Sequence, residues 1–228
     1  MADDAPPRSW FEPSSGREWP LGPNYLSHFP SGTKNYVSWS RFRVMAGTWY
    51  LDTLKVILAR TNDLDRFVGV EMALDGFFAG MSSAFDAAVG GLCTAIEANR
   101  GVAEADRTPD HQKNWRRVKL LAAQPPAIAL SSMTAVDDAL QVDPKTDEPT
   151  GWLAQLRRAR NRMVHGDTLT RAFFRNVSEP SGTGSIDPSK IGIPGVGKVE
   201  PIGYMEAALT STTDLVELIL SDAALLDP

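Results

Sequence analysis

Phe67, Val70, Leu74, Phe77, Met81, Phe85, Ala88, Leu92 and Ile96 follow one another at intervals of three or four. That is the α-helical period, and no strand sustains it. The stretch predicts one amphipathic helix of about eight or nine turns. Gly76, Gly80, Gly90 and Gly91 lie inside it. Each costs about 1 kcal/mol relative to Ala, a cost offset where a missing Cβ lets another helix approach. The helix is expected to stop at Arg100-Gly101, with the glycine just past its end.

The neighbouring segments extend the helical pattern. Trp39, Phe42, Met45, Ala46, Trp49, Leu54, Ile57 and Leu58 predict a helix that precedes the long one, with a break at Thr61-Asn62-Asp63. A third helix is expected to start with Pro109 in its first turn and to end before Pro125-Pro126. A short helical piece over 132–141, a turn over 143–149 and a helix over 150–165 follow. Residues 168–203 read as a β-hairpin with a long tip, and 204–226 as a last helix. The fold class expected is therefore mainly α, an antiparallel helical bundle with a small β-hairpin appendage near the C-terminus. Residues 1–37 are set apart as an extended arm, and 38–228 as the helical domain. Six prolines between Pro6 and Pro30 exclude a helix in the arm, yet Trp10, Phe11, Trp19, Tyr25, Phe29 and Tyr36 suit a segment laid against the body or against a partner subunit.

Composition excludes several classes. The 228 residues are 43% hydrophobic and 22% charged, which is globular rather than disordered. No uninterrupted apolar run has the length of a membrane span, so no membrane partner is expected. The acidic start, leading into Pro6-Pro7, is unlike a secretory signal, and cytoplasmic residence is the expectation. Cys93 is the single cysteine, so neither an internal disulfide nor a cysteine-built zinc site is open to the chain. A net charge of −5 argues against unselective coating of nucleic acid.

Three motif-like stretches dissolve on inspection. Gly192 to Lys198 satisfies G-x-x-x-x-G-K, but Val199 stands where a hydroxyl should reach magnesium. Pro201 and Gly203 argue further that no helix begins there to aim amides at a phosphate. Asn176-Val177-Ser178 is a glycosylation acceptor only in a secreted chain. His28, His111 and His165 have no ligand spacing to one another, so no metal site is expected. Asp63/Asp65 and Asp137/Asp138 read as capping or solvated carboxylates. Asp86 reads as part of a solvated face, with a buried acid near a histidine as the functional alternative.

The concentrated positive charge lies in Arg157, Arg158, Arg160 and Arg162, followed by Arg171 and Arg175. On a helical wheel Trp152, Leu156, Ala159 and Met163 form the core stripe. Leu153, Arg160 and Val164 line one flank, while Arg157, Asn161 and His165 share another face. Arg158 and Arg162 point to solvent.

Arg160-Asn161-x-x-x-His165, late in a helix that follows a long two-helix core, resembles the Arg-x(4–6)-His motif of the HEPN family. The resemblance covers residues 38–100 and 150–166. It implies an all-helical, homodimeric fold. It also implies a metal-independent endoribonuclease of toxin or phage-defence type that needs no cofactor, or a non-catalytic relative that binds RNA, a nucleotide or a protein such as an antitoxin. In that reading His165 is the acid/base and Arg160 clamps the transition state. Asn161 orients the phosphate or the imidazole, and Arg157, Arg162 and Arg171 hold RNA. His165 near a helix C-terminus would be favoured as imidazolium. Five helical residues rotate by about 140°, so Arg160 and His165 converge only if the helix ends at His165, if Arg160 reaches round, or if two copies meet across a two-fold axis, and the resemblance implies the last.

Overall fold

The computed structural model describes residues 33–59, 64–164, 192–193 and 197–226. Within these, the side chains of 34, 64–68, 162–164, 192–193 and 197–198 are outside the description. The chain is mainly α, with six helices packed together among the described residues: α1 (Lys34–Ala59), α2 (Leu64–Asn99), α3 (Trp115–Ala122), α4 (Met133–Ala139), α5 (Trp152–Val164) and α6 (Pro201–Ala224).

The long helix forms as its period predicts. Val70, Leu74, Phe77, Met81, Phe85, Ala88, Leu92 and Ile96 are all buried. It ends at Gly101, whose φ of 73° is the left-handed conformation glycine adopts at little cost. By length and composition Gly69–Asn99 could cross a membrane, but 83% of the apolar window is buried inside the fold, which is reason enough for its apolarity.

α1 runs antiparallel to α2, with Ile57 beside Gly69 and Tyr36 beside Gly90 and Gly91. A Cβ on Gly76 would stand 2.2 Å from the Tyr50 ring, and one on Gly90 2.8 Å from Tyr36, so close approach explains these glycines. Gly80 differs: its Cβ would meet only the Arg43 carbonyl oxygen, at 3.4 Å, and the Gly47 nitrogen, at 3.9 Å. Gly80→Ala is accordingly expected to raise stability by about 0.5–1 kcal/mol, read from the urea midpoint.

The face of α1 that meets the core is only in part the expected stripe, since Leu54 is buried and Ile57 and Leu58 pack on the core. Val37, Val44, Leu51 and Leu54 are buried, whereas Trp39, Phe42 and Trp49 are exposed. α1 is apolar on two opposite sides, and periodicity alone does not choose between them. The helix also starts four residues before 38, so Tyr36 belongs to the bundle. Its hydroxyl bonds Asp110 and accepts from Lys113 Nζ at 2.8 Å.

α6 closes the bundle over α1 and α2. Leu209 lies beside Gly47, Tyr204 stacks on Phe78 at 6.1 Å, and Arg41 pairs with Glu217 at 2.8 Å. Burial pushes the Tyr204 hydroxyl up to about 12. Buried Cys93 is likewise pushed to about 12, first by desolvation and then by Glu97, so it is an inert core thiol.

α3 begins later than expected. Pro109 leads only into a 3₁₀ turn, Asp110–Gln112. Asn114 is the true N-cap, accepting from the Arg117 amide at 3.0 Å. Asp137 is exposed, as the solvated reading expects, and it also accepts from Trp115 Nε1 at 2.7 Å and Lys119 Nζ at 2.9 Å, tying α4 to α3.

The expected 168–203 hairpin is not shown. Gly192–Ile193 pairs antiparallel with Gly197–Lys198, two residues each, while the 168–178 strand lies outside the described residues, as does the arm to residue 32. A helix does begin directly after the glycine-rich stretch, with Pro201 in its first turn, contrary to expectation. A phosphate is still disfavoured there. The Glu200 carboxylate already takes the first amides, Ile202 at 2.9 Å and Gly203, and supplies the negative charge itself.

Candidate functional site

α5 is held by its apolar side. Leu153, Leu156 and Ala159 are fully buried and Trp152 is half-buried, so the opposite side of the helix is left for its arginines. The turn between α4 and α5 supplies the facing wall. Val142 and Pro149 bridge across it, and Asp147 sits in the left-handed region at φ 55°, donating its amide to the Asp143 carbonyl at 2.9 Å. An Asp tolerates that conformation better than most residues.

Between wall and helix lies an open groove of about 490 Å³. Arg157, Arg158 and Asn161 line one side; Leu140, Val142, Asp147 and Pro149 line the other. Three of the sequence-derived basic or polar candidates therefore meet a common cavity, or two of them if Arg158 is set aside as the residue expected in solvent.

The electrostatics are more balanced than four clustered arginines suggest. Arg157 Nη1 pairs with Asp86 Oδ1 at 3.0 Å, and its guanidinium lies 5.6 Å from the Phe85 ring centroid. Asp86 is exposed, as the solvated-face reading expects, and pairs with Arg157; it is not a buried acid. Arg158 is not simply solvated either. It holds Glu148 through two contacts, Nη2 to Oε1 at 3.0 Å and Nη1 to Oε2. Both pairs reach solvent, where such pairs contribute roughly 0–1 kcal/mol. A phosphate could displace either carboxylate cheaply, because a guanidinium bonds phosphate oxygens as well as carboxylate ones.

Arg160 stands on the flank beside Leu153, as expected. Its Nη1 donates to Asn161 Oδ1 at 3.0 Å, and its Nε is buried without a partner among the described residues. Asn161 thus holds the Arg160 guanidinium through its amide oxygen. The second half of the motif, His165, lies outside the described residues, as do Arg171 and the side chain of Arg162.

Sequence reading missed the acidic rim. Glu148 and Asp147 looked like turn residues, and nothing periodic links Glu148 to Arg158. No group of three or more His, Cys, Asp or Glu residues that could hold a metal occurs among the described residues. Comparison with protein-family models, with curated proteins and with solved structures found no match.

Proposed function

We propose that the chain is a metal-independent endoribonuclease of HEPN type, acting on single-stranded or structured RNA at a site completed by two copies. The observation that carries this reading is the groove beside α5, where Arg157, Arg158 and Asn161 converge and Asn161 orients Arg160. The Arg160-Asn161-x-x-x-His165 spacing supports it.

The chemistry needs little. The 2′-oxygen attacks the adjacent phosphorus, and the bond to the 5′-oxygen breaks. One proton leaves the 2′-hydroxyl and one reaches the departing 5′-oxygen, giving a 2′,3′-cyclic phosphate and a 5′-hydroxyl. A histidine exchanges protons near neutral pH. An arginine stays charged and stabilises the phosphorane-like transition state. His165 takes the first role and Arg160 the second, with Arg157, Arg162 and Arg171 binding the backbone. The 168–203 hairpin and cytoplasmic residence belong to the same proposal.

A second reading is a non-catalytic HEPN-like dimeric module that binds RNA, a nucleotide or a protein partner. One observation favours it: Arg157 and Arg158 are each engaged by a carboxylate. Incubation of the purified chain with labelled RNA in EDTA separates the two. The nuclease reading expects cyclic-phosphate ends, and a loss of a hundredfold or more in His165→Ala and Arg160→Ala, with unchanged circular dichroism. Equal cleavage by parent and His165→Ala refutes it. Retention of RNA with no product supports the module.

A further inference from the structure

The two sides of the α5 groove differ in chemistry. The helix contributes Arg157, Arg158 and Asn161. The facing wall is apolar at Leu140, Val142 and Pro149, with Val142 40% exposed, and it carries one charged residue, Asp147. The volume of about 490 Å³ lies among those of small-ligand sites, roughly 300–1,000 Å³. That is room for one nucleotide, with phosphate oxygens on the guanidinium side and a base laid along the apolar wall. On that wall the group able to read the base is the Asp147 carboxylate.

Asp147 is held in place, and the fold makes no use of its side chain. Its φ of 55° is the one positive value at a non-glycine residue among the described residues. Its amide donates to the Asp143 carbonyl at 2.9 Å, and the Asp143 amide donates to the Glu148 carbonyl at 2.8 Å, so the backbone on both sides is fixed. Its carboxylate accepts no hydrogen bond among the described residues, whereas Glu148, next in the chain, is taken by Arg158. Glycine would adopt this conformation at lower cost, so the aspartate adds strain to the turn and sets a free carboxylate in the groove. Strained residues of this kind cluster at ligand sites. The carboxylate is also within electrostatic reach of the arginines: the Arg158 pKa is raised, first by its hydrogen bond to Glu148 and further by the charge of Asp147.

We infer that the groove recognises a guanine base in RNA and that Asp147 is its specificity-determining residue. An ionised carboxylate only accepts hydrogen bonds, through two oxygens side by side. Guanine alone among the four RNA bases offers two neighbouring donors, N1–H and N2–H, on its Watson–Crick edge. Adenine and cytosine each present a donor beside an acceptor there, and uracil a donor between two acceptors. Those acceptors would face a carboxylate oxygen and repel it. The charge of Asp147 does not exclude the phosphate, because two guanidiniums line the same groove. Recognition of this kind rests on the reading of the groove as an RNA site, catalytic or not.

Equilibrium binding of labelled single-stranded RNA hexamers to the full chain tests it. Fluorine in place of each 2′-hydroxyl removes the nucleophile and keeps binding separate from cleavage. Oligouridine carrying one guanosine should bind about tenfold tighter than with adenosine, cytidine or uridine at that position. Inosine keeps N1–H but lacks the 2-amino group, and should lose most of that advantage. Asp147→Asn turns two acceptors into an acceptor beside a donor, so guanosine should lose its advantage and adenosine or cytidine should gain. Asparagine tolerates the same φ, so the fold is retained, which circular dichroism checks. Equal tightening of all four oligonucleotides by Asp147→Asn, their order unchanged, is what mere removal of a negative charge produces, and it overturns the inference. Tight binding with no base preference overturns it as well, while the RNA reading stands. Absence of binding to every oligonucleotide overturns both. Displacement of the guanosine hexamer by guanosine 5′-monophosphate at equal concentration assigns the site to a free nucleotide and overturns RNA as the source of the base.

Discussion

Asp222→Ala is expected to destabilise the chain by about 3–5 kcal/mol, more than any surface change. Asp222 lies on α6, 3% exposed, far from the arginine cluster in sequence. One carboxylate oxygen accepts from the Ser131 amide at 2.9 Å and hydroxyl at 2.6 Å; the other accepts from the Ser132 amide at 2.9 Å and hydroxyl at 2.6 Å. Ser132 precedes α4, so the carboxylate satisfies amides that the start of that helix would otherwise leave open. Alanine removes the acceptor for four donors at once, and the two on buried Ser132 have no route to water. A chain of this size loses about 2–4 °C per kcal/mol, so the melting temperature should fall by about 6–20 °C in calorimetry. Asp214→Ala, exposed on the same helix, should stay within about 0.5 kcal/mol of the parent. An equal loss in both variants would mean that the buried clamp has no special weight. The clamp also bears on the α5 groove, because α4 carries Leu140 at its end, on the wall of that groove.

Gly151→Ala should cost about 3 kcal/mol, and should damage the groove beyond that loss. Gly151 is buried where the turn enters α5, and its amide donates to the Gln141 carbonyl at 2.9 Å. An added Cβ would stand 2.3 Å from the Ala139 oxygen and 2.5 Å from the Asp138 oxygen. Both are backbone atoms at the end of α4, and neither can turn aside like a side chain. Relief requires α5 to move away from α4, which opens the space lined by Leu140, Val142 and Arg157. Urea unfolding measures the first effect. RNA binding or cleavage under conditions where the variant remains folded measures the second. Gly80→Ala is the matched contrast, since the same substitution meets tolerable contacts there. A Gly151→Ala chain as stable as the parent would show that the α4–α5 junction is looser than its geometry implies.

Much of the helical framework was legible in the residues themselves. The three-and-four spacing from Val70 to Ile96 can be met only by a helix with one buried side, whatever packs on it. Gly101 can end that helix because glycine accepts a positive φ cheaply. Leu156 and Ala159 face inward because the wheel leaves α5 no other apolar side. These are local properties of backbone geometry, and a linear string carries them.

Other features belonged to the tertiary structure. α1 has apolar residues on two opposite sides, so its period is satisfied by either; only α2 and α6 decided that Val44 and Leu51 go inward while Trp39 and Trp49 face out. The arginine cluster read as free charge, but Asp86 neutralises Arg157 from another helix and Glu148 holds Arg158 from the preceding turn. Asp222 became the clamp of α4 across a separation of about ninety residues. Ion pairs and buried carboxylates depend on distances of a few ångströms between segments remote in sequence. Periodicity says which way a side chain points from its own helix axis, and it holds no information about what stands opposite.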